Sequence, residues 1–249
     1  MTGPEIQFDH VSKDFQRSDG GVFRAVDNVQ LDIAQGELIA LLGKTGCGKS
    51  TMFNMIAGLA EPTAGSVRVK GRDPFREFDW FRGKIAIVFQ NDRLLPWRTA
   101  IQNIELGLEM LDIPAAKRRE TARAWLTRLG LAGHEDDYPH ALSGGMRQRV
   151  SIARAFATNA DILLCDEPFS ALDEHTNLRL REEFASLVRD NGKTAVFITH
   201  SINEALHLGD RVVVLRRPAH IALDARNARD ATPEQRLALR AQVEAALAE

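Results

Sequence analysis

Apolar and polar residues alternate from Glu5 to Val11 (EIQFDHV) and again from Phe23 to Ile33, the period of half-buried strands. Glu37 to Leu42 is a compact apolar run entering a glycine-rich loop, and it predicts a buried strand. Ser50 to Ala57 has helical periodicity, with Gly58 placed to cap its C-terminus. Pro62 to Gly65 reads as a turn, Ser66 to Lys70 as a strand, and Lys84 to Phe89 as an apolar, β-rich strand. Helical patterns then dominate from about Asn91 to Tyr138. They comprise Ile101 to Met110 and Pro114 to Leu129, with Pro114 in a first turn. Strands and helices alternate afterwards: Asp161–Cys165, Thr176–Asp190, Thr194–Thr199, Ile202–Leu208 and Arg211–Leu215. Such alternation implies parallel strands joined by crossover helices. A final helix starts at Thr232-Pro233-Glu234-Gln235, where Thr232 and Gln235 form a capping box and Pro233 occupies the first turn.

The pattern predicts an α/β chain with a mostly parallel sheet, an N-terminal antiparallel β subdomain and an inserted helical subdomain at about 91–142. Residues 230–249 form a helical tail, and the whole reads as one domain. Composition narrows the role. The 249 residues carry 32 Lys+Arg against 34 Asp+Glu, a formal charge of −2. That balance lacks the surplus cations a nucleic-acid surface needs, so no nucleic-acid partner is expected. Two cysteines, Cys47 and Cys165, make neither a disulfide framework nor a cysteine-rich zinc site, so a reducing compartment is the default. No apolar tract approaches the ~20 residues of a membrane span, and the N-terminus shows no secretory signal.

Three stretches carry chemistry. Gly43-Lys44-Thr45-Gly46-Cys47-Gly48-Lys49-Ser50 fits G-x-x-x-x-G-K-[ST], with a strand before it and a helix after it. Glycines allow successive N–H groups to face an anion, and the helix start adds its dipole. Lys49 reaches β- and γ-phosphates, and the Ser50 hydroxyl suits Mg²⁺. Ile162 to Glu167 is an apolar strand ending in two carboxylates, where Asp166 can hold Mg²⁺ and Glu167 can polarise an attacking water. Leu142-Ser143-Gly144-Gly145-Met146-Arg147-Gln148-Arg149 places a helix N-terminus behind a serine, a second anion-adapted end.

With these residues in view, the sequence resembles the ATP-binding subunits of ABC transporters from Glu5 to about Leu215. Its ordered motifs are Gly43–Ser50, Val88-Phe89-Gln90, Leu142–Gln148, Asp166-Glu167-Pro168, Ser170-Ala171-Leu172-Asp173 and His200. The resemblance implies a head-to-tail homodimer sandwiching two ATP molecules. Gly43 to Thr51 of one chain, with Lys44, Thr45, Gly46, Cys47 and Gly48 in the loop itself, would face Ser143, Gly144 and Gly145 of the other. It further implies that Gln90 senses Mg²⁺ and the water, that His200 contacts the γ-phosphate, that Asp173 joins the two sites, and that Phe15 stacks on adenine, with Phe23 as the alternative. Lys44 and Thr45 stand where Pro-Ser is commonest in the family.

The insert is too short for the coiled coils of DNA-repair relatives, there is a single phosphate loop, and little chain follows Leu215. Asn91 to Thr99 (NDRLLPWRT) and Asp166 to Asp173 (DEPFSALD) look like the nitrate/sulfonate/taurine importer group. The resemblance implies a permease docking near Gln90 to Thr99, an indirect solute-binding protein, and a place on the cytoplasmic face of the inner membrane. Leu94 and Leu95 fit docking or core filling equally, whereas Trp97 fits docking. A soluble ABC-type ATPase of an assembly or repair machine is the alternative.

Overall fold

The computed structural model describes residues 3–169, 174–226 and 231–248, and only the backbone of 174–179. The chain divides into two compact units, Met1–Phe81 with Ala185–Glu249, and Arg82–Phe184.

The first unit holds a three-stranded antiparallel sheet of order β2-β1-β4, from β1 (Ile6–Gln16), β2 (Val22–Ile33) and β4 (Ala64–Val69). The alternation seen in the sequence buries Ile6, Phe8 and Val11 on one face of β1. β1 continues five residues past Val11. Register shifts between Phe8 and Asp14 let it continue although strict alternation stops, with His10 and Asn28 both at left-handed φ. The same unit holds four strands in the order β7-β3-β8-β9: β3 (Leu38–Gly43), β7 (Thr194–Thr199), β8 (Arg211–Arg216) and β9 (His220–Arg226). β3 runs parallel to β7 on one side and to β8 on the other. Leu38 to Leu42 are at most 1 % exposed, so β3 reads as an unbroken apolar run rather than an alternating one. Each such buried leucine or isoleucine contributes about 2 kcal/mol of transfer free energy.

Helix α1 (Lys49–Ile56) follows β3, and α6 (Ile202–Leu208) links β7 to β8. β9 is a strand that the sequence pattern did not announce. It returns antiparallel along β8, with only three residues between the two. Helix α7 (Pro233–Ala248) packs on α6, β8 and β9 and buries Val243. Its start is the expected capping box: Thr232 N donates to Gln235 Oε1 at 2.9 Å, and Gln235 N to Thr232 Oγ1 at 3.3 Å. The two sheets of this unit are stitched by Ala219, which donates to the Ala25 carbonyl and accepts from the Asp27 amide.

The second unit pairs β5 (Ile85–Val88) in parallel with β6 (Ile162–Asp166). Around them lie α2 (Ala100–Met110), α3 (Ala115–Arg128) and α4 (Gly144–Ala157), with α4 packed on α2, α3 and β5. Ile101, Ile104, Leu126, Val150 and Ala153 are all 0 % exposed and form the helical core. A tilted Trp125–Phe156 pair and edge-on Phe156–Phe184 and Phe169–Phe184 pairs fill the rest. Helix α5 (Glu174–Asp190) carries the boundary between the units.

Arg211 is the buried ionic brace of the first unit. It is 3 % exposed and grips Asp224 with two hydrogen bonds of 2.6 Å, while also donating to the Asp32 carbonyl at 2.7 Å. Asp224, with the Glu37 carboxylate 3.4 Å away, holds the guanidinium above its ordinary pKa. One residue thereby joins β2, β8 and β9. Arg211→Ala is expected to lower the unfolding free energy by about 2–3 kcal/mol, since it strands a carboxylate and a carbonyl. Urea denaturation measures this, and Arg211→Met should recover only the packing part.

Candidate functional site

In the first unit, the parallel register aligns the ends of three strands. Gly43 pairs with Leu215, and Leu42 with Thr199, so the phosphate loop and His200 leave the same edge of the sheet. That edge, at the carboxyl ends of parallel strands, is where α/β sheets bind ligands. Gly43 has no room for a side chain: a Cβ would lie 2.6 Å from the Leu215 carbonyl and 2.7 Å from Cys47 Sγ. Gly48 is tighter still, at φ 112° with a Cβ position 2.4 Å from the Ala25 carbonyl. Gly48 is also the N-cap of α1 and supplies no side-chain acceptor, so the first-turn amides of α1 have no side-chain cap. Lys49 is buried, and its ammonium donates to the Gly43 carbonyl at 2.7 Å and the Lys44 carbonyl at 3.1 Å. Cys47 is buried, with Sγ 4.0 Å from Lys49 Nζ. Lys44, Thr45, Gly46 and Ser50 are exposed, and Thr51 is half-buried. The loop is therefore a backbone cradle with a cation folded into it, suited to a chain of phosphates.

His200 is exposed at the end of β7, and the residues flanking it are fixed. Thr199 Oγ1 donates to the buried Glu204 carboxylate at 2.5 Å and accepts from the Ser201 amide at 3.0 Å. Ser201 in turn caps α6 through the Glu204 amide. Glu204 carried no motif signal, and only its buried position reveals it.

The second unit gathers its own group. Val88 pairs with Cys165, so Gln90 and Glu167, each two residues further on, come face to face. Gln90 Nε2 donates to Glu167 Oε2 at 3.1 Å. Glu167 is held at φ 45°, a left-handed backbone that costs a non-glycine residue about 1 kcal/mol or more. Asp166 ends β6 and is half-buried. Burial, with help from the Asp166 carboxylate, pushes the Cys165 thiol well above its usual range, so it stays neutral and unreactive.

Ser143 is the N-cap of α4, and its Oγ accepts from the Met146 amide at 3.3 Å. Ser143 and Gly144 are exposed and Gly145 half-buried, so the hydroxyl and the turn stand open to a partner. Behind them, Gln148 is buried and donates to the Pro168 carbonyl at 2.6 Å, tying the start of α4 to the chain that follows Glu167.

Phe15 and Phe23 are register partners across β1 and β2. Guanidiniums of Arg17 and Arg217 cover the Phe23 ring, 5.6 and 5.1 Å from its centroid. Phe15 is 43 % exposed, with the Lys13 ammonium 5.2 Å from its ring centroid, and is the more available stacking surface. In the segment after Gln90, Leu94 is buried and belongs to the core, Leu95 is half-buried, and Trp97 is 70 % exposed. Asp173 lies outside the described residues. Asn103, which no motif flagged, is fully buried and pins the segment. It accepts from the Leu95 amide at 2.7 Å and donates to the Arg98 carbonyl at 2.9 Å.

Residues 26–170 match the family model described as ABC transporter. The chain belongs to the ABC transporter family. It is an ATP-binding cassette with the ATPase fold of that family. It is 44 % identical over 214 residues to the nitrate import ATP-binding protein NrtC of Synechocystis sp., covering 85 % of this chain and 31 % of that longer protein. It is 44 % identical over 194 residues to the taurine import ATP-binding protein TauB of Yersinia pestis bv. Antiqua, covering 77 % and 73 %. The cassette resembles the dimeric post-hydrolysis structure of the ATP-binding cassette MJ0796 bound to ADP and Pi. The TM-score is 0.78 at 33 % identity, over 89 % of this chain and 98 % of that one. Among the described residues of this cassette, no helix is long and apolar enough to cross a membrane.

Because a methyl group at Gly48 collides with the Ala25 carbonyl, Gly48→Ala should lower ATP affinity by about tenfold or more. The loop must move before the amides of α1 can face an anion. Titration with a fluorescent ATP analogue reads this directly.

Proposed function

We propose that this cassette is the ATP-hydrolysing subunit of an importer for a small anionic or organic solute of the nitrate, sulfonate or taurine kind. The observation that carries the reading is a pair of helix starts of different design: the start of α1 behind the half-buried Gly48, with no side-chain cap, and the exposed start of α4 behind Ser143. One chain has no evident use for two such ends on one nucleotide. A head-to-tail homodimer uses both, with the loop of one chain and the Ser143–Gly145 turn of the other on the same ATP. The relatives NrtC and TauB support import, and the exposed Trp97 supports a docked permease over the stretch from Gln90 to Thr99. A permease would hold the chain at the cytoplasmic face of the inner membrane, and a solute-binding protein would act through it.

In this reading the loop amides and Lys49 bind the β- and γ-phosphates, and Phe15 stacks on adenine. Ser50, Asp166 and Gln90 offer hydroxyl, carboxylate and amide oxygens, the hard donors that suit Mg²⁺ beside substrate phosphates, and the ion would neutralise charge on the phosphoryl group. The described residues contain no cluster of three or more metal-binding side chains, and a Mg²⁺ held by one or two of them plus phosphates needs none. Glu167 takes a proton from the attacking water, Gln90 positions its carboxylate through the 3.1 Å bond, and His200 orients the water and the γ-phosphate. Asp173 communicates between the two sites. ATP binding closes the dimer, and hydrolysis releases it, driving the permease between orientations.

Glu167→Gln should reduce hydrolysis by about 10²-fold or more while leaving an ATP-dependent dimer visible by size exclusion. Hydrolysis near the parent rate would remove Glu167 as the base. Ser143→Arg should block hydrolysis but leave ATP binding to the isolated chain within about twofold, measured by equilibrium titration. In cells, deletion of the gene should abolish uptake of one labelled solute among taurine, an alkanesulfonate and nitrate. Unchanged uptake of all three would separate the ATPase reading from this solute class.

A further inference from the structure

The second unit contains a set of ties that the catalytic reading does not use. Arg147 lies in the first turn of α4, and its Nε meets Asp92 Oδ2 at 3.0 Å. Its Nη1 donates to the Leu142 carbonyl at 2.7 Å, one residue before Ser143. Seven residues on, two helical turns along the same face, Arg154 donates to the backbone carbonyls of Asp92 at 2.8 Å and Arg93 at 2.9 Å. Asp92 Oδ1 meanwhile accepts from the Leu94 amide at 3.1 Å, closing a turn in its own segment. Asn103 grips that segment from the other side at Leu95 and Arg98. Two residues before Asp92 stands Gln90, and five residues after it stands Trp97.

We propose that Asp92 is a positioning residue: through the Arg147 fork it sets the Leu142–Ser143 turn from the segment that carries Gln90 and Trp97. The proposal deepens the importer reading and rests on it for the meaning of Ser143 and Trp97. The chemistry is specific to these side chains. A guanidinium bridges two acceptors on different segments with a planar, fixed fork, which a lysine ammonium cannot reproduce. The two oxygens of the Asp92 carboxylate bind different segments. One closes the turn of its own loop, and the other holds α4. Burial lowers the pKa of Arg154, and its carbonyl partners supply the hydrogen bonds that a desolvated cation requires. A permease element seated on Trp97 therefore pulls on the same short segment that fixes the Leu142–Ser143 turn. Motion of that segment reaches Ser143 through two side chains, Asp92 and Arg147, rather than through the helical core.

The test uses the full chain with Asp92→Asn, Arg147→Gln and the double variant. Hydrogen exchange without nucleotide is read at the amides of residues 143–147 and, as a folding control, in α3. Asp92→Asn should speed exchange at 143–147 at least tenfold with α3 unchanged. Steady-state hydrolysis should show kcat reduced about tenfold with KM for ATP within twofold, and the double variant should be no worse than either single one. Parent-like exchange at 143–147 in both single variants, or losses in kcat that multiply in the double variant, would overturn the clasp. If the parent chain itself fails to hydrolyse ATP, the importer-ATPase reading fails, and the exchange experiment still decides the clasp.

Discussion

The in-register parallel pairing of β3 with β7 and β8 is the constraint on which the phosphate-binding unit depends. β3 has no free edge and no exposed face, so it cannot slip by a residue without driving an apolar side chain past its neighbours. That rigidity delivers Gly43 against the Leu215 carbonyl and brings His200 out at the same end. The β5–β6 pair does the equivalent in the other unit. A shift of one residue between those strands would part Gln90 from Glu167. In both units, chemistry is placed by strand register, and the loops hold only the final few ångströms.

That placement explains which parts were readable in the residues alone. β1, β2 and the run before Gly43 announced themselves through period and composition, and Thr232, Pro233 and Gln235 announced α7 through capping chemistry. β9 escaped because it is an outer strand of mixed exposure: Ile221 and Leu223 are only half-buried, and its pairing with β8 is a long-range fact in a segment of weak alternation. The motifs located Lys49, Ser143, Glu167 and His200 because each belongs to a local pattern. Asn103 and Glu204 have no such pattern, and Asp92 and Arg147 lie in motifs that say nothing of their pairing; the importance of all four comes from partners brought near by folding. Phe15 and Phe23 could not be separated by sequence, since the difference lies in two arginines that cover one ring and not the other.

Stability and reactivity are distributed unevenly. Lys49 is buried with its charge directed at backbone carbonyls, and Glu167 sits in a backbone conformation it would not choose. The second is a backbone strain that the surrounding structure absorbs. Arg211 and the aromatic cluster of Trp125, Phe156, Phe169 and Phe184 each hold their own unit together. Both cysteines are buried, and burial keeps the Cys165 thiol neutral.

The exposed indole of Trp97 has an optical consequence. Of the three tryptophans, Trp80 is half-buried between Arg72 and Phe81, and Trp125 is half-buried between Arg128 and Phe156. Trp97 alone of the three is open to water over most of its surface. Its emission belongs at the red end of the protein's intrinsic fluorescence and is the part a soluble quencher reaches first. The molecule thus carries its own label on this exposed surface, and burial of that surface shifts the colour of the light without any chemical modification.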